Sequence, residues 1–343
     1  MLHSKLDRYL PWATMAFACV VVLLGAYTRL ADSGLGCPDW PGCYGHLISV
    51  PQNAHEIARA TQAYPTMPPL SPDRMWPEMI HRYFAGTLVL GVFLMTLRAV
   101  FLKTKGLKNN LKLMLGASTL IIFQAILGMW TVTWKLLPLV VMGHLMGGFT
   151  LTACLYWSAL TQHETRLLTP RPFNTLTSKR AFQMMSIVTF IVFMQIMLGG
   201  WTSSNYAALI CPDLTHCPMD WFSWPSIKQG FNVLSPIGQN YEFGLLGEHA
   251  RAAIQMVHRW GAIITTLCLV SMLLWCALKR PQGLTRIMLI LIPLILFAQI
   301  ALGVTNILKF LPMTVAVAHN GVGLMLLLAC LTLCFIFKRS RSV

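Results

Sequence analysis

The chain has 343 residues, of which 56% are hydrophobic and 11% charged, and its mean hydropathy is +0.61. Each helix crossing a bilayer needs about 20 apolar residues, so this composition excludes an ordinary soluble domain and predicts an all-α polytopic membrane protein. A net charge of +15 would suggest nucleic acid in a soluble protein, but no basic tail or aromatic-interleaved basic face is present, and no nucleic-acid partner is expected.

Apolar runs at 12–28, 79–102, 111–132, 136–160, 181–201, 252–278, 284–308 and 311–337 predict eight transmembrane helices. The stretch before the first run carries Asp7, with neither a small-residue cleavage site nor an Arg/Ser-rich, acid-free leader. The first span is therefore expected to be retained, in a bacterial inner membrane rather than a mitochondrial one. Eight spans put both termini on one side and leave two long loops, 29–78 and 202–251, on the other. With the termini cytoplasmic, the inner side holds sixteen Lys and Arg, among them Lys108, Arg166, Arg171 and Arg341, against Asp7 and Glu164. On the outer side nine basic residues meet nine acids, and Arg98 lies near the inner end of the second span. The basic excess is thus the positive-inside signature of topology.

The chain repeats itself. LGAYTRLADSGLGCPDWPGC at 24–43 is answered by LGGWTSSNYAALICPDLTHC at 198–217, so that Cys37, Pro38, Asp39 and Cys43 recur as Cys211, Pro212, Asp213 and Cys217. His81-Arg82 returns as His258-Arg259, and Gln124, Leu127, Gly128 and His144 return as Gln299, Leu302, Gly303 and His319. An even number of spans separates the copies, so both insert with one orientation: a parallel repeat. The expected architecture is two pseudo-symmetric four-helix bundles, residues 1–165 and 166–343.

Of ten histidines, His81, His144, His258 and His319 lie inside spans. Each is on an even-numbered span, a few residues in from the outer end, or about 6 to 12 Å deep at 1.5 Å per residue. A single intramembrane His is as often an interhelical hydrogen-bonder as a ligand; four at one depth, repeated between halves, favour ligands. Two imidazoles at one level on parallel helices can take both axial positions of a planar macrocycle, the bis-histidine ligation of haem. Zinc would need four converging ligands, often thiolates. Cys19, Cys154, Cys268, Cys276, Cys330 and Cys334 are scattered through the spans without such spacing and read as packing residues. Arg82 and Arg259, next to candidate ligands, suit haem propionates, or else snorkel to headgroups.

The outer pairs Cys37 with Cys43 and Cys211 with Cys217 face an oxidising compartment, where disulfides persist. Each is either a structural staple or a redox-active pair. The halves differ beside the first histidine, where EMIHR places Glu78 three residues before His81 and QMVHR places Gln255 before His258. Both lie on the ligand's face of the helix. A carboxylate can take a proton or stabilise a developing cation, whereas an amide only hydrogen-bonds, so the N-terminal half reads as catalytic and the C-terminal half as an electron-transfer site. The alternative is that Glu78 caps the start of its helix near Pro77.

From YTRLADSGLG through EMIHRYFAG and GHLMGG to QMVHRW and AHNGVG, the chain resembles the haem A synthase family over nearly its whole length. The resemblance implies oxidation of the C8 methyl of haem O to the formyl of haem A by successive hydroxylations, with water supplying the oxygen. It implies His81 and His144 around the substrate haem with Glu78 beside it, and His258 and His319 on a resident haem b. Cys37 with Cys43, and Cys211 with Cys217, would match the family's bacterial outer cysteine pairs. The partners implied are haem O, haem O synthase, cytochrome oxidase assembly factors, an unidentified electron acceptor and further copies of the chain. A dihaem electron carrier or haem transporter would use the histidines without needing Glu78 to differ from Gln255. A quinone-linked disulfide oxidoreductase would use the cysteines and leave the histidines idle.

Overall fold

The computed structural model describes residues 5–65, 70–107, 109–162 and 175–340. The expected division at 165/166 and the charges at Lys108, Glu164, Arg166, Arg171 and Arg341 lie outside these residues. The described residues form helices α1 (Lys5–Leu30), α2 (Ala54–Ala63), α3 (Pro72–Thr104), α4 (Leu111–Thr133), α5 (Pro138–Gln162), α6 (Thr175–Ser204), α7 (Trp224–Gly230), α8 (Glu248–Leu278), α9 (Leu284–Leu308) and α10 (Met313–Arg339). Eight of them, all but α2 and α7, are long and apolar enough to cross a membrane.

The spans fall where the apolar runs predict them, but several start earlier. Helix α3 begins at Pro72, seven residues before its apolar run, with Pro at a first-turn position that suits its fixed φ and missing N–H. Asp73, Arg74 and Glu78 make these first turns polar, which hides them from a hydropathy reading. The two short helices lie in the long outer loops. Helix α2 is set by a capping box: the Asn53 side chain accepts from Glu56 N at 2.9 Å, and the Glu56 carboxylate accepts from Asn53 N at 3.5 Å and from Gln52 N at 2.8 Å.

The long helices pack as two groups of four. Within the first, α1 lies against α3 and α5, and α4 against α3 and α5; within the second, α6 lies against α8 and α10, and α9 against α10 and, less closely, α8. Buried apolar side chains fill each group: Ala18, Val92, Met114 and Leu155 in the first, Met185, Leu269, Ile292 and Leu333 in the second. Large apolar residues such as Leu97, Ile187, Leu267 and Phe297 remain exposed on the outside. That is the arrangement a hydrocarbon surround requires and water penalises.

The groups meet through α1 with α10, α5 with α6, and α5 with α10. Phe149, Leu324 and Leu327 are buried in this seam, and Tyr156 Oη and Thr332 Oγ1 share a hydrogen bond of 2.6 Å across it. Further contacts tie the outer ends together. The Arg29 guanidinium donates to Ser203 O at 2.6 Å and lies 4.0 Å from the Tyr206 ring centre. Arg74 pairs with Glu242 and also donates to Asp32 O, while Tyr241 N donates to Lys135 O at 3.0 Å. Tyr241 itself is buried among Leu35, Leu127, Leu136 and Val140. The segment before α8 therefore crosses over and covers the α4–α5 turn of the other group.

Candidate haem-binding and oxidation site

Four spans, α3, α5, α8 and α10, carry the four intramembrane histidines, and in each case a glycine on the preceding span faces the ring. A Cβ built on Gly25 of α1 would lie 2.9 Å from His81 Cε1; on Gly128 of α4, 3.3 Å from His144 Cε1; on Gly199 of α6, 3.1 Å from His258 Cε1; on Gly303 of α9, 3.1 Å from His319 Cε1. Carbon atoms pack comfortably at about 3.5–4.0 Å. The imidazoles thus lie in notches that a methyl group would fill.

His81 and His144 face each other, their ring centroids 6.3 Å apart and their planes at 89°. A metal–imidazole bond of about 2 Å on each side, with about 1 Å more from nitrogen to ring centre, sets two axial rings about 6 Å apart. Nδ1 of His81, His144 and His319 is buried without a hydrogen-bond partner, although each residue keeps some exposure. His81 and His144, each with an unpartnered buried nitrogen and facing one another at this spacing, fit the two faces of a haem iron. Among the described residues no three His, Cys, Asp or Glu side chains converge as a metal-holding group, so the tetrahedral zinc alternative has no ligand set here. In the second group His258 Nδ1 is 3.0 Å from Gln195 Nε2, and His319 Nε2 is 3.3 Å from Gln299 Nε2.

Glu78 is 5% exposed and both its oxygens are engaged. Oε2 accepts from the backbone amide of Cys37 at 2.9 Å, and Oε1 pairs with Arg82 at 2.6 Å. Helix α3 starts at Pro72, so Glu78 lies beyond its first turn and does not cap its start; it joins the helix to the cysteine loop. Gln255 occupies the corresponding place, accepting from Cys211 N at 2.8 Å and donating to Ala208 O. The bond to the loop amide is therefore common to both halves. The negative charge and its ion pair belong to the first alone.

Cys37 and Cys43 form a disulfide, as do Cys211 and Cys217. Each closed loop is also held by an arginine. Arg82 donates to the carbonyls of Asp39 (2.8 Å), Pro41 (3.2 Å) and Gly42; Arg259 donates to those of Asp213 (2.5 Å), Leu214 (3.2 Å) and Cys211 (2.6 Å). These guanidiniums thus have protein partners in place, although Arg259 Nε is buried with none. Asp39 completes the first loop, its carboxylate accepting from Tyr44 N (2.6 Å) and Gly45 N (2.8 Å). Outside the spans, burial pushes the carboxyl of Asp32 up, and backbone amides hold that of Glu56 down. The six cysteines of the spans are unpaired, and Cys276, Cys330 and Cys334 are buried in the apolar core.

Sequence reasoning missed Gln195, the Arg74–Glu242 pair and the glycine notches. Gly25 and Gly199, like Gly128 and Gly303, stand at matching positions of the repeat; that recurrence was the available signal. A separate apolar groove of about 510 Å³, lined by Leu198, Trp221, Ile227, Val257 and Trp260 among others, flanks α8 without His258 in its wall.

A family model described as cytochrome oxidase assembly protein, COX15-CtaA, matches residues 8–331. A haem A synthase of Shewanella oneidensis is 42% identical over 331 residues, covering 96% of this chain and 96% of its own. Haem A synthases of a Chelativorans species and of Caulobacter vibrioides are 29% and 28% identical, covering 95% and 93% of this chain and 91% and 92% of their own.

Proposed function

The chain belongs to the COX15-CtaA family of cytochrome oxidase assembly proteins, and on that premise we propose that it is a membrane haem A synthase. The observation that carries this reading is the facing pair His81 and His144 at 6.3 Å, one helical turn from a buried carboxylate that the other half replaces with an amide. In this reading the first half holds haem O as substrate between His81 and His144. His258 and His319 hold a resident haem b, which when bound supplies one-electron redox chemistry. Arg82 and Arg259, while clamping the cysteine loops, also present guanidiniums to propionates.

The reaction converts a methyl carbon to a formyl carbon. Each of two oxidation steps removes two electrons and two protons and adds a hydroxyl from water; the resulting geminal diol then loses one water. The balance is one water consumed and four electrons and four protons released, the electrons leaving to an acceptor outside the chain. Glu78 takes a proton from the attacking water or stabilises positive charge on the carbon. Arg82 and the Cys37 amide fix where its carboxylate stands. The Cys37–Cys43 disulfide acts as a staple in this scheme, since the loop it closes supplies that amide. The dihaem-carrier reading gives no reason for Glu78 to differ from Gln255.

We further take the chain to be a parallel duplication set in a bacterial inner membrane with both termini cytoplasmic, so that the site opens near the outer surface. The functional test is expression in cells that make haem O and no haem A. Haem A in the extracted membranes supports the synthase; haem O unchanged beside abundant, correctly inserted protein opposes it.

A further inference from the structure

Every intramembrane imidazole has its Cε1 edge against the backbone of a glycine on the neighbouring span, and the four glycines recur between the halves together with the histidines. We propose that Gly25, Gly128, Gly199 and Gly303 are positioning residues: each leaves open the notch that sets how its imidazole is rotated and how deep it sits, and so the axial geometry offered to a haem iron. This rests on the bis-histidine reading above.

The argument is steric. A methyl at Gly25 would meet the His81 ring at 2.9 Å, and at Gly128, Gly199 or Gly303 the partner ring at 3.1–3.3 Å, all inside the comfortable carbon–carbon distance of about 3.5–4.0 Å. The ring would have to yield by a few tenths of an ångström or more, and a constellation built for binding tolerates only about 0.5 Å. Ordinary helix packing does not explain the pattern. Glycines elsewhere on the spans do not face imidazoles: Gly200 faces Leu145 Cδ2 and Gly321 faces Leu23 Cδ2, each at 2.8 Å, whereas Gly116 and Gly86 are uncrowded, with nothing within 4 Å. The glycine–imidazole contact instead follows the histidines, one on each even-numbered span. It also gives the repeated LG of the first and fifth spans, and of the third and seventh, a role beyond flexibility.

The test uses the full-length protein purified with its haem, read by optical and low-temperature EPR spectra at matched haem content. Gly199→Ala and Gly303→Ala should shift the largest g value of the low-spin signal and convert part of it to high spin. Gly200→Ala, one residue away and equally crowded but against a leucine, and Gly116→Ala should leave the spectrum as in the parent. His258→Ala is run in parallel. If it retains the parent low-spin spectrum, the haem assignment fails; if it loses that spectrum while Gly199→Ala and Gly303→Ala match the parent, the positioning role is overturned. Should one alanine variant not accumulate, the other decides alone, because the two notches lie on different helix pairs. A spectral change in Gly200→Ala equal to that in Gly199→Ala would mark general packing and equally overturn the proposal.

Discussion

At Glu78 the two halves pose a controlled experiment on themselves. Glu78 and Gln255 accept the same kind of bond from a cysteine amide, at 2.9 and 2.8 Å, so Glu78→Gln should keep the loop, the fold and haem binding while removing the charge. Conversion of haem O, or of its hydroxylated intermediate, should then fall by about 10²- to 10⁴-fold, the usual worth of general-base assistance. Haem extraction after timed turnover measures it, and an unchanged rate would return Glu78 to a purely structural role. His258→Ala and His319→Ala should abolish the low-spin haem b spectrum, while His81→Ala and His144→Ala should spare it and lose bound haem O; the opposite pattern would reverse the halves. The histidines stood out because a polar residue inside a span is costly, and Glu78 because the repeat answers it with Gln255. The role of Arg82 as a clamp on loop carbonyls was not, since a sequence gives no hint of which carbonyls a turn leaves free.

Among the elements, the eight spans were readable from apolar length and the two outer helices were not. Helix α2 is ten residues, half of them polar, whose start is fixed by Asn53 and Glu56, a signal lost among other loop residues without its geometry. The same cap makes a pH prediction. Backbone amides of Gln52 and Asn53 lower the Glu56 pKa on folding, so its contribution is complete above the ordinary carboxyl range and is lost as pH falls through the depressed folded value. Protection factors of the first-turn amides of α2, corrected for intrinsic exchange at each pH, should therefore fall on acidification through that range, and Asn53→Ala should lower them at neutral pH; protection insensitive to both would discount the cap. The disulfides were expected from the outer location of their cysteines. Each spans a sequence separation of six, a short loop whose closure is worth about 2 kcal/mol in the chain-entropy account. Reduction should lower the thermal midpoint of the outer region measurably, and an identical melting profile for reduced protein would contradict the staple.

For the molecule as a whole, the sequence carries no sign of how the two groups of four spans lock together. Arg74 with Glu242, Arg29 with Ser203 and Tyr206, and the buried Tyr241 over the α4–α5 turn join residues far apart in sequence, and neither periodicity nor composition encodes such pairings. Arg74→Ala should loosen the segment before α8, seen as faster proteolysis between residues 232 and 247 in outward-facing protein; unchanged protection would make that pair incidental. Above this interlock stands the claim that one half holds a substrate haem and the other a resident one. Chromatographic identification of the haems extracted from the purified protein tests it most directly: haem O or haem A should appear together with haem b, whereas haem b alone, from cells that make haem O, would contradict the account.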